Sequence, residues 1–381
     1  MLQSFSFLTS GRIVFGRGSA TSAGDAVLSF GSRVLLVRGR SVSFADELAA
    51  GLRQSGADVT ECICSTEPTV TMVQEAISAG RSAACDVVVA VGGGAVVDLG
   101  KAAAALIPGQ SDVPDHLEGV GHGLPLAASP LPFVALPTTS GTGAEVTKNA
   151  VIAVPEAGRK VSLRDDRMLP DVAIIDPALT DGSPRFVTLA AGLDAVTQVI
   201  EPYLCNRANP LTDALCVAAI PSGLQALAKL ERGEDPEARD EMAFCSLSGG
   251  LALANAGLGA VHGLAGVLGG RLGAPHGLIC GRLLGPVLTE NRACLARMGA
   301  DLSRFDMVEQ AVGQAFGLKS DVFSQLTPLL DSWEIPRLGQ WTRENSDLGA
   351  IAAEAATASS MKANPCELPE KTLISIMESV L

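Results

Sequence analysis

Aromatic side chains are scarce in this chain, making up 4% of its 381 residues, with one tyrosine and two tryptophans. Hydrophobic residues nevertheless account for 47% and charged residues for only 18%. This composition excludes an intrinsically disordered protein, because such a chain can bury enough apolar surface to offset the entropy of folding. The core must therefore be built from alanine, valine, leucine and glycine rather than from stacked rings.

Basic runs are also missing. The formal net charge is −13, and no lysine or arginine cluster could neutralise a phosphate backbone, so nucleic acid is excluded as an expected partner. The nine cysteines are odd in number and scattered, with no Cys-x-x-Cys pair to hold zinc or exchange disulfides. We therefore expect reduced, mostly buried thiols in a cytoplasmic protein.

No secretory signal opens the sequence, since the charged start and the small-residue cleavage site are absent. One uncharged run, 242–270, exceeds the roughly 20 residues that a bilayer span requires. It is rich in glycine, however, and contains Asn255 and His262. We interpret it as closely packed helices in a soluble core, and we expect no membrane contact.

The chain length predicts two domains. Up to about residue 182, short β-branched runs alternate with helical ones, which favours a Rossmann-like parallel sheet covered on both faces, with its ligand at the carboxyl ends of the strands. The predicted strands are 33–38, 59–64, 86–91, 132–136 and 172–175, and the predicted helices are 44–54, 70–84 and 96–106.

The second half of the chain has a different pattern. After the Asp181-Gly182-Ser183-Pro184 turn, the runs are long, rich in alanine and leucine, and of helical period. We predict an α/β domain at 1–182 and an all-helical domain at 183–381. The prolines expected to break its helices are Pro202, Pro210, Pro221, Pro275, Pro286 and Pro336.

A glycine-rich turn follows the strand 86–91, which is predicted to be buried. Gly92, Gly93 and Gly94 lead directly into a helix, an arrangement that lets a pyrophosphate approach the backbone N–H groups at the helix start. Gly94 and Gly100 enclose too many residues for a P-loop, and Lys101 is followed by alanine. The alternative is a tight strand-to-helix turn without a ligand.

A second loop strengthens the phosphate interpretation. The sequence Leu-Pro-Thr-Thr-Ser-Gly-Thr-Gly, 136–143, also follows a predicted strand and places hydroxyls and glycines where a loop would face the same sheet edge. Loops rich in serine, threonine and glycine are often only turns. The two loops together favour phosphate or ribose binding.

The helical half contains a second candidate site. Asp194 and Gln198 are one helical turn apart and project from one face. A buried, unpaired Asp194 would be costly, and a divalent cation is one way to satisfy it. His262 and His276 lie in helical segments, where a lone histidine is typically a hydrogen-bonded core residue. His116 and His122 lie in a polar loop and are expected to be solvated.

These motifs, in this order and spacing over essentially the whole chain, resemble the iron-dependent, group III alcohol dehydrogenases. The resemblance implies the dehydroquinate synthase-like fold, a nicotinamide dinucleotide, NAD or NADP, bound to the first domain, and a divalent ion, Fe²⁺ or Zn²⁺, in the cleft between the domains. It further implies reversible hydride transfer between an alcohol and its aldehyde or ketone, with the cation as Lewis acid, in a homo-oligomer such as a dimer.

The resemblance also assigns residues. Those implied to bind the coenzyme are Gly39, Gly93, Gly94, Ala95, Asp98, Thr138, Thr139, Thr142, Lys160 and Leu179. Asp194, Gln198, His262 and His276 occupy the four metal-ligand positions, and Asp194, His262 and His276 are the expected catalytic set.

Two positions depart from the family pattern. Gln198 stands where a histidine is usual, and its neutral oxygen binds iron or zinc less strongly than imidazole does. Gly266 stands where many members carry a proton-relay histidine. A metal-independent reductase similar to maleylacetate reductase, and a dinucleotide-binding protein without turnover, are therefore alternatives.

Coenzyme choice is predicted from the end of the first strand. Gly39 occupies a position where NAD-selective relatives often carry an acidic residue, so the repulsion of a 2′-phosphate is lost. Arg38 or Arg40 could attract that phosphate. We therefore expect NADP(H) to be accepted.

Overall fold

The computed structural model describes residues 4–342 and 347–381. The chain divides into two compact units, which are Leu8–Asp181, and Gly182–Leu381 together with the residues up to Phe7. The first contains strands and helices, and the second is helical. The two halves of the sequence thus have the fold classes that their patterns predict.

A parallel sheet forms the centre of Leu8–Asp181. The strands of this unit are β1 Arg12–Phe15, β2 Arg33–Gly39, β3 Asp58–Cys64, β4 Val87–Gly92, β5 Phe133–Pro137, β6 Asn149–Val154, β7 Arg159–Arg164 and β8 Val172–Ile175. The sheet has the strand order β1-β8-β5-β4-β2-β3, and every neighbouring pair is parallel. An antiparallel hairpin, β6-β7, lies outside it.

Helices cover both faces of this sheet. Alternate residues of β2 and β4 enter two separate apolar clusters, one shared with α3 and α4 and the other with α1 and α2. Because both faces are buried, these strands are continuous apolar runs. The helices of this unit are α1 Ala23–Leu28, α2 Ser43–Gln54, α3 Val70–Ser82, α4 Gly94–Leu106 and α5 Val113–His116.

The helical unit buries one large apolar cluster to which all its long helices contribute. Asn209 and Asp235 cap helices that begin with proline, where the missing N–H costs nothing. Its helices are α6 Arg185–Leu204, α7 Pro210–Arg232, α8 Pro236–Asn255, α9 Ala260–Leu272, α10 His276–Arg297, α11 Ser303–Phe316, α12 Leu326–Ser332, α13 Leu348–Thr357 and α14 Glu370–Glu378.

Three of the prolines expected to break helices do not do so. Pro202, Pro221 and Pro286 lie inside α6, α7 and α10. An internal proline costs about 3 kcal/mol through its lost hydrogen bond and its clash with the preceding turn. These helices contribute many side chains to the apolar cluster, and tertiary burial rather than local propensity sustains them.

The uncharged run 242–270 forms most of α8 and α9, which are bent by 98° at the break between them. By length and composition, α7 could cross a membrane, as could the α8–α9 pair taken as one broken span. Both α7 and α8 pack against α6 and supply buried side chains to the core cluster. The apolar window of α7 is 44% buried in this way.

Candidate functional site

The glycine turn and the threonine loop meet at one edge of the sheet. Strands β4 and β5 are parallel neighbours with Gly92 opposite Pro137, so the segments after them leave the sheet side by side. The N–H of Thr138 donates to the carbonyl of Gly92 at 2.9 Å. The two loops therefore lie next to each other, as their spacing along the predicted strands indicated.

The two loops pack so closely that the glycine positions have no space for a side chain. A Cβ atom on Gly94 would lie 2.7 Å from the hydroxyl of Thr142, and one on Gly93 would lie 3.2 Å from that of Thr139. Gly93 caps α4, and Gly94 and Ala95 open its first turn, where the N–H groups point out of the helix. The dipole and these N–H groups make the turn suitable for a phosphate.

The other predicted coenzyme residues have protein partners of their own. The carboxylate of Asp98 accepts from the N–H of Val151 at 3.0 Å, and burial raises its pKa to about 6. Lys160 forms an ion pair with Glu67, at 2.6 Å. Leu179 is half-buried in the turn after β8. Among the described residues, no hydrogen bond or ion pair links these three side chains to the glycine turn.

The end of β2 lies beside the glycine turn. A Cβ atom on Gly39 would lie 3.9 Å from the side chain of Val96, in the first turn of α4. Arg38 is buried, and its guanidinium is hydrogen-bonded to Asp46 and, at 3.2 Å, to Glu61. Its charge is therefore already compensated, whereas Arg40 is exposed.

A second site lies wholly within the helical unit. Asp194 on α6, His262 on α9 and His276 at the start of α10 come together although they are far apart in the chain. The carboxylate Oδ1 of Asp194 lies 3.5 Å from Nε2 of His262 and 3.8 Å from Nε2 of His276. Cys280, one turn after His276, joins them, and the four donor atoms lie within 4.8 Å of one another.

Two of these donor atoms lack hydrogen bonds. Asp194 Oδ1 and His262 Nε2 are fully buried and have no hydrogen-bond partner among the described residues. Burial opposes ionisation of Asp194, but His276 and His262 hold its pKa below the usual value. Burial disfavours the charged form of His276 as well, yet Cys280 and Asp194 raise its pKa to about 9. Such a concentration of unsatisfied buried polar groups is costly without a ligand.

Glu201 fixes the orientation of His262. Its carboxylate accepts from Nδ1 of His262 at 2.6 Å and from the N–H of Val261 at 2.7 Å, at the N-terminus of α9. In the neutral imidazole, donation from Nδ1 to Glu201 leaves the lone pair on Nε2, the nitrogen that points towards Asp194. A carboxylate behind a histidine in this way is typical of metal-binding imidazoles.

The donor set fits a divalent cation. Bonds of about 2.0–2.3 Å from zinc to oxygen, nitrogen and sulfur place the ligand atoms of a tetrahedral site roughly 3.3–3.7 Å apart. The distances from Asp194 to the two histidines, and the 3.6 Å between Cys280 Sγ and His276 Nε2, are close to these values. Gln198 is buried on α6, one turn after Asp194.

Cys280 and Glu201 received no role from the sequence. Both follow a predicted ligand at helical spacing, since Cys280 is four residues after His276 and Glu201 is seven after Asp194. That spacing is the signal that could have identified them.

One histidine prediction is wrong. His116 is buried rather than solvated, because its Nδ1 lies 2.8 Å from the carbonyl of Leu124 and satisfies the ring in the interior. His122 is exposed, as expected, and lies 3.1 Å from Asp115.

Comparison with known proteins identifies the family. Residues 10–177 match the model of iron-containing alcohol dehydrogenase, and residues 188–381 match that of the Fe-containing alcohol dehydrogenase family, C-terminal.

Individual relatives agree with these matches. The chain is 34% identical over 357 residues to the probable alcohol dehydrogenase EutG of Escherichia coli, covering 92% of this chain and 88% of the relative. It is 32% identical to the NAD-dependent methanol dehydrogenase of Bacillus methanolicus, covering 79% of this chain and 78% of the relative. The crystal structure of a 1,3-propanediol oxidoreductase superposes with a TM-score of 0.85 at 28% identity, covering 100% of both chains. This chain is therefore an oxidoreductase that belongs to the iron-containing alcohol dehydrogenase family.

Proposed function

We propose that this chain interconverts a small alcohol and its aldehyde or ketone by hydride exchange with NAD(P), using a divalent cation held by Asp194, His262 and His276. The observation that carries the proposal is the convergence of these three side chains, with two buried donor atoms that lack hydrogen-bond partners among the described residues. The unit Leu8–Asp181 would bind the coenzyme, and the helical unit would bind the cation.

The cation and the coenzyme would supply the reactive chemistry. The cation would polarise the substrate oxygen, and the nicotinamide ring would accept or donate the hydride. The chain holds and orients them. Glu201 keeps His262 in the tautomer that offers Nε2 as a donor, and the burial of Asp194 and His262 excludes water from the charges.

The coenzyme would bind through the glycine turn and the threonine loop, with its pyrophosphate at the start of α4. Gly93, Gly94 and Ala95 offer backbone N–H groups there, beside the hydroxyls of Thr139 and Thr142. We assign supporting positions to Gly39, Asp98, Thr138, Lys160 and Leu179 from the family resemblance.

NADP(H) acceptance would depend on the exposed Arg40, because Arg38 is already paired with two carboxylates. The metal is Fe²⁺ or Zn²⁺, and its fourth protein ligand is either Gln198 or Cys280. We also propose a homo-oligomer, such as a dimer, in the cytoplasm.

A panel of short-chain alcohols and aldehydes, assayed with NAD(H) and NADP(H), tests the activity. Turnover should disappear on chelation and return with Fe²⁺ or Zn²⁺. Asp194→Asn should abolish it, whereas His122→Ala, which changes an exposed histidine, should leave it intact. Turnover that survives complete chelation would favour a metal-independent reductase, and coenzyme binding without turnover on any substrate would contradict an enzyme.

A further inference from the structure

We propose that the thiolate of Cys280 is the fourth protein ligand of this metal site, in place of a histidine on α6. The inference rests on the proposed function to the extent that a divalent cation binds at Asp194, His262 and His276. It changes the donor set from nitrogen and oxygen alone to one that includes sulfur. It also leaves Gln198 outside the coordination sphere.

Position is the first argument. Cys280 lies four residues after His276 on α10, so both side chains project from the same face of one helix. Its Sγ atom lies 3.6 Å from Nε2 of His276, and it is within 4.8 Å of the donor atoms of Asp194 and His262. The four donor atoms are therefore close enough together to contact one cation.

Close helix packing brings the thiol to this point. A Cβ atom on Gly277 would overlap the carbonyl oxygen of Ala190 and lie 3.1 Å from Cβ of Asp194. A Cβ atom on Gly281 would lie 2.7 Å from the side chain of Leu193. Glycines on both sides of Cys280 thus allow α10 to approach α6 beside the carboxylate of Asp194.

The surroundings distinguish Cys280 from the other buried cysteines. Cys245 on α8 is fully buried, and burial raises its pKa to about 12, as expected of an inert core thiol. Cys280 instead shares its space with two imidazoles and a carboxylate, two of whose atoms lack hydrogen-bond partners among the described residues.

Donor chemistry favours sulfur over the amide. A thiolate is a stronger ligand for zinc and related ions than the neutral oxygen of Gln198. On binding, the thiol loses its proton to solvent, the sulfur–metal bond forms, and no oxidant or reductant is required. The chain therefore compensates for the missing histidine with a donor from the opposite helix, and the softer ligand favours Zn²⁺ over Fe²⁺.

Cobalt substitution tests the proposal without relying on turnover. The full-length protein is stripped of metal and titrated with Co²⁺, and the near-ultraviolet region is recorded for thiolate-to-cobalt charge transfer. The wild type should develop this band with one equivalent. Cys280→Ser should lose it, whereas Cys294→Ser, further along the same helix, and Gln198→Ala should keep it.

Zinc affinity provides the second readout. Competition with a chromophoric chelator should show a Kd raised by more than about 100-fold in Cys280→Ser, since loss of an outer-shell partner alone costs about 10- to 100-fold. Thermal unfolding of the metal-free proteins establishes that Cys280→Ser is folded. If that variant is unfolded, the wild-type band and the Gln198→Ala band decide the question.

The outcomes separate the two proposals. Stoichiometric Co²⁺ binding without the band, or a band that persists in Cys280→Ser, would overturn the thiolate ligand while leaving the metal-dependent enzyme intact. Absence of the band in the wild type, together with a zinc Kd that is raised in Gln198→Ala and unchanged in Cys280→Ser, would assign the fourth position to the amide. Absence of stoichiometric metal binding in the wild type would contradict both proposals.

Discussion

The carboxylate of Glu201 fixes the His262 ring on the side away from Asp194. It accepts hydrogen bonds from Nδ1 of His262 and from the N–H groups of Val261 and His262, in the first turn of α9. In Glu201→Gln, the amide is a weaker acceptor and can donate to Nδ1, so the tautomer that presents Nε2 is no longer fixed. We expect the Kd for Zn²⁺ to rise about 10- to 100-fold.

Chelator competition measures this Kd. Glu354→Gln, which removes a surface ion pair with Arg271 on the same helical unit, is the matched control and should bind zinc normally. A variant that loses thermal stability but keeps its zinc affinity would show that Glu201 supports the fold and does not position the ligand.

A second residue-scale prediction concerns Glu145, a buried carboxyl in the unit Leu8–Asp181. Burial raises its pKa to about 7 from an unfolded value near 4.5. The folded state then disfavours the charged form of this carboxyl. Ionisation of Glu145 therefore has no effect on the free energy of unfolding below about pH 4.5, and it lowers that free energy increasingly as the pH rises to about 7. The full penalty is on the order of 3 kcal/mol.

Urea unfolding at pH 5 and pH 7.5 checks this sign. Glu145→Gln cannot ionise, so the free energy of unfolding of the variant relative to wild type should increase between the two pH values. A relative stability that falls with pH would contradict the buried, raised pKa.

At this scale, the sequence predicted that Asp194, His262 and His276 are metal ligands, because the order and spacing of its motifs resemble those of the family. It did not predict the roles of Cys280 or Glu201. Those roles depend on the tertiary packing of α10 against α6 and of α9 against Glu201, which the sequence pattern does not indicate. The burial of His116 was not predicted for the same reason. Its partner is the backbone carbonyl of Leu124, and no side-chain pattern in the sequence indicates that contact.

The glycine turn at the start of α4 is the element that we propose to bind the pyrophosphate of the coenzyme. Gly94→Ala would place a Cβ atom 2.7 Å from the hydroxyl of Thr142 and push the two loops apart. We expect the KM for NAD(H) to rise at least about tenfold, or roughly 1.4 kcal/mol of binding free energy.

Gly51→Ala is the control for this variant. Gly51 lies inside α2, where a Cβ atom would meet nothing within 4 Å. It should leave the KM unchanged and stabilise the helix by about 0.5–1 kcal/mol. Unchanged coenzyme kinetics in a folded Gly94→Ala protein would remove the turn from the binding site.

The end of β2 yields a prediction on coenzyme choice. Arg40→Ala should lower kcat/KM for NADP(H) relative to NAD(H) by about two- to fivefold, the size expected of an exposed ion pair. Parallel assays with both coenzymes measure the ratio. If the wild type prefers NAD(H) by more than tenfold, the NADP(H) hypothesis is wrong.

Strands and helices could be predicted where one hydrophobic pattern dominated the local sequence. The buried strands β2, β4 and β8 are short runs of mainly apolar residues, and their positions match the prediction closely. The hairpin β6-β7 was missed because its buried residues are few, and contacts with α4 stabilise it, including the bond from Val151 to Asp98. The prolines inside α6, α7 and α10 were misread because burial outweighs their local cost.

For the whole molecule, the alternation of strands and helices followed by helices alone predicted the fold class, since each parallel crossover requires a helix. The functional assignment of residues 1–182 and 183–381 stays a prediction, because it concerns ligands and not the packing of the chain. Substrate identity could not be predicted, as no spacing rule identifies the apolar side chains that would select one alcohol.

We propose that turnover requires one divalent cation bound at Asp194, His262 and His276. The requirement is tested by titrating the metal-stripped protein with Zn²⁺ or Fe²⁺ and measuring bound metal and alcohol oxidation on the same samples. Activity should rise in proportion to bound metal and saturate at one equivalent per chain. Full activity in protein without bound metal would show that the cation is not required.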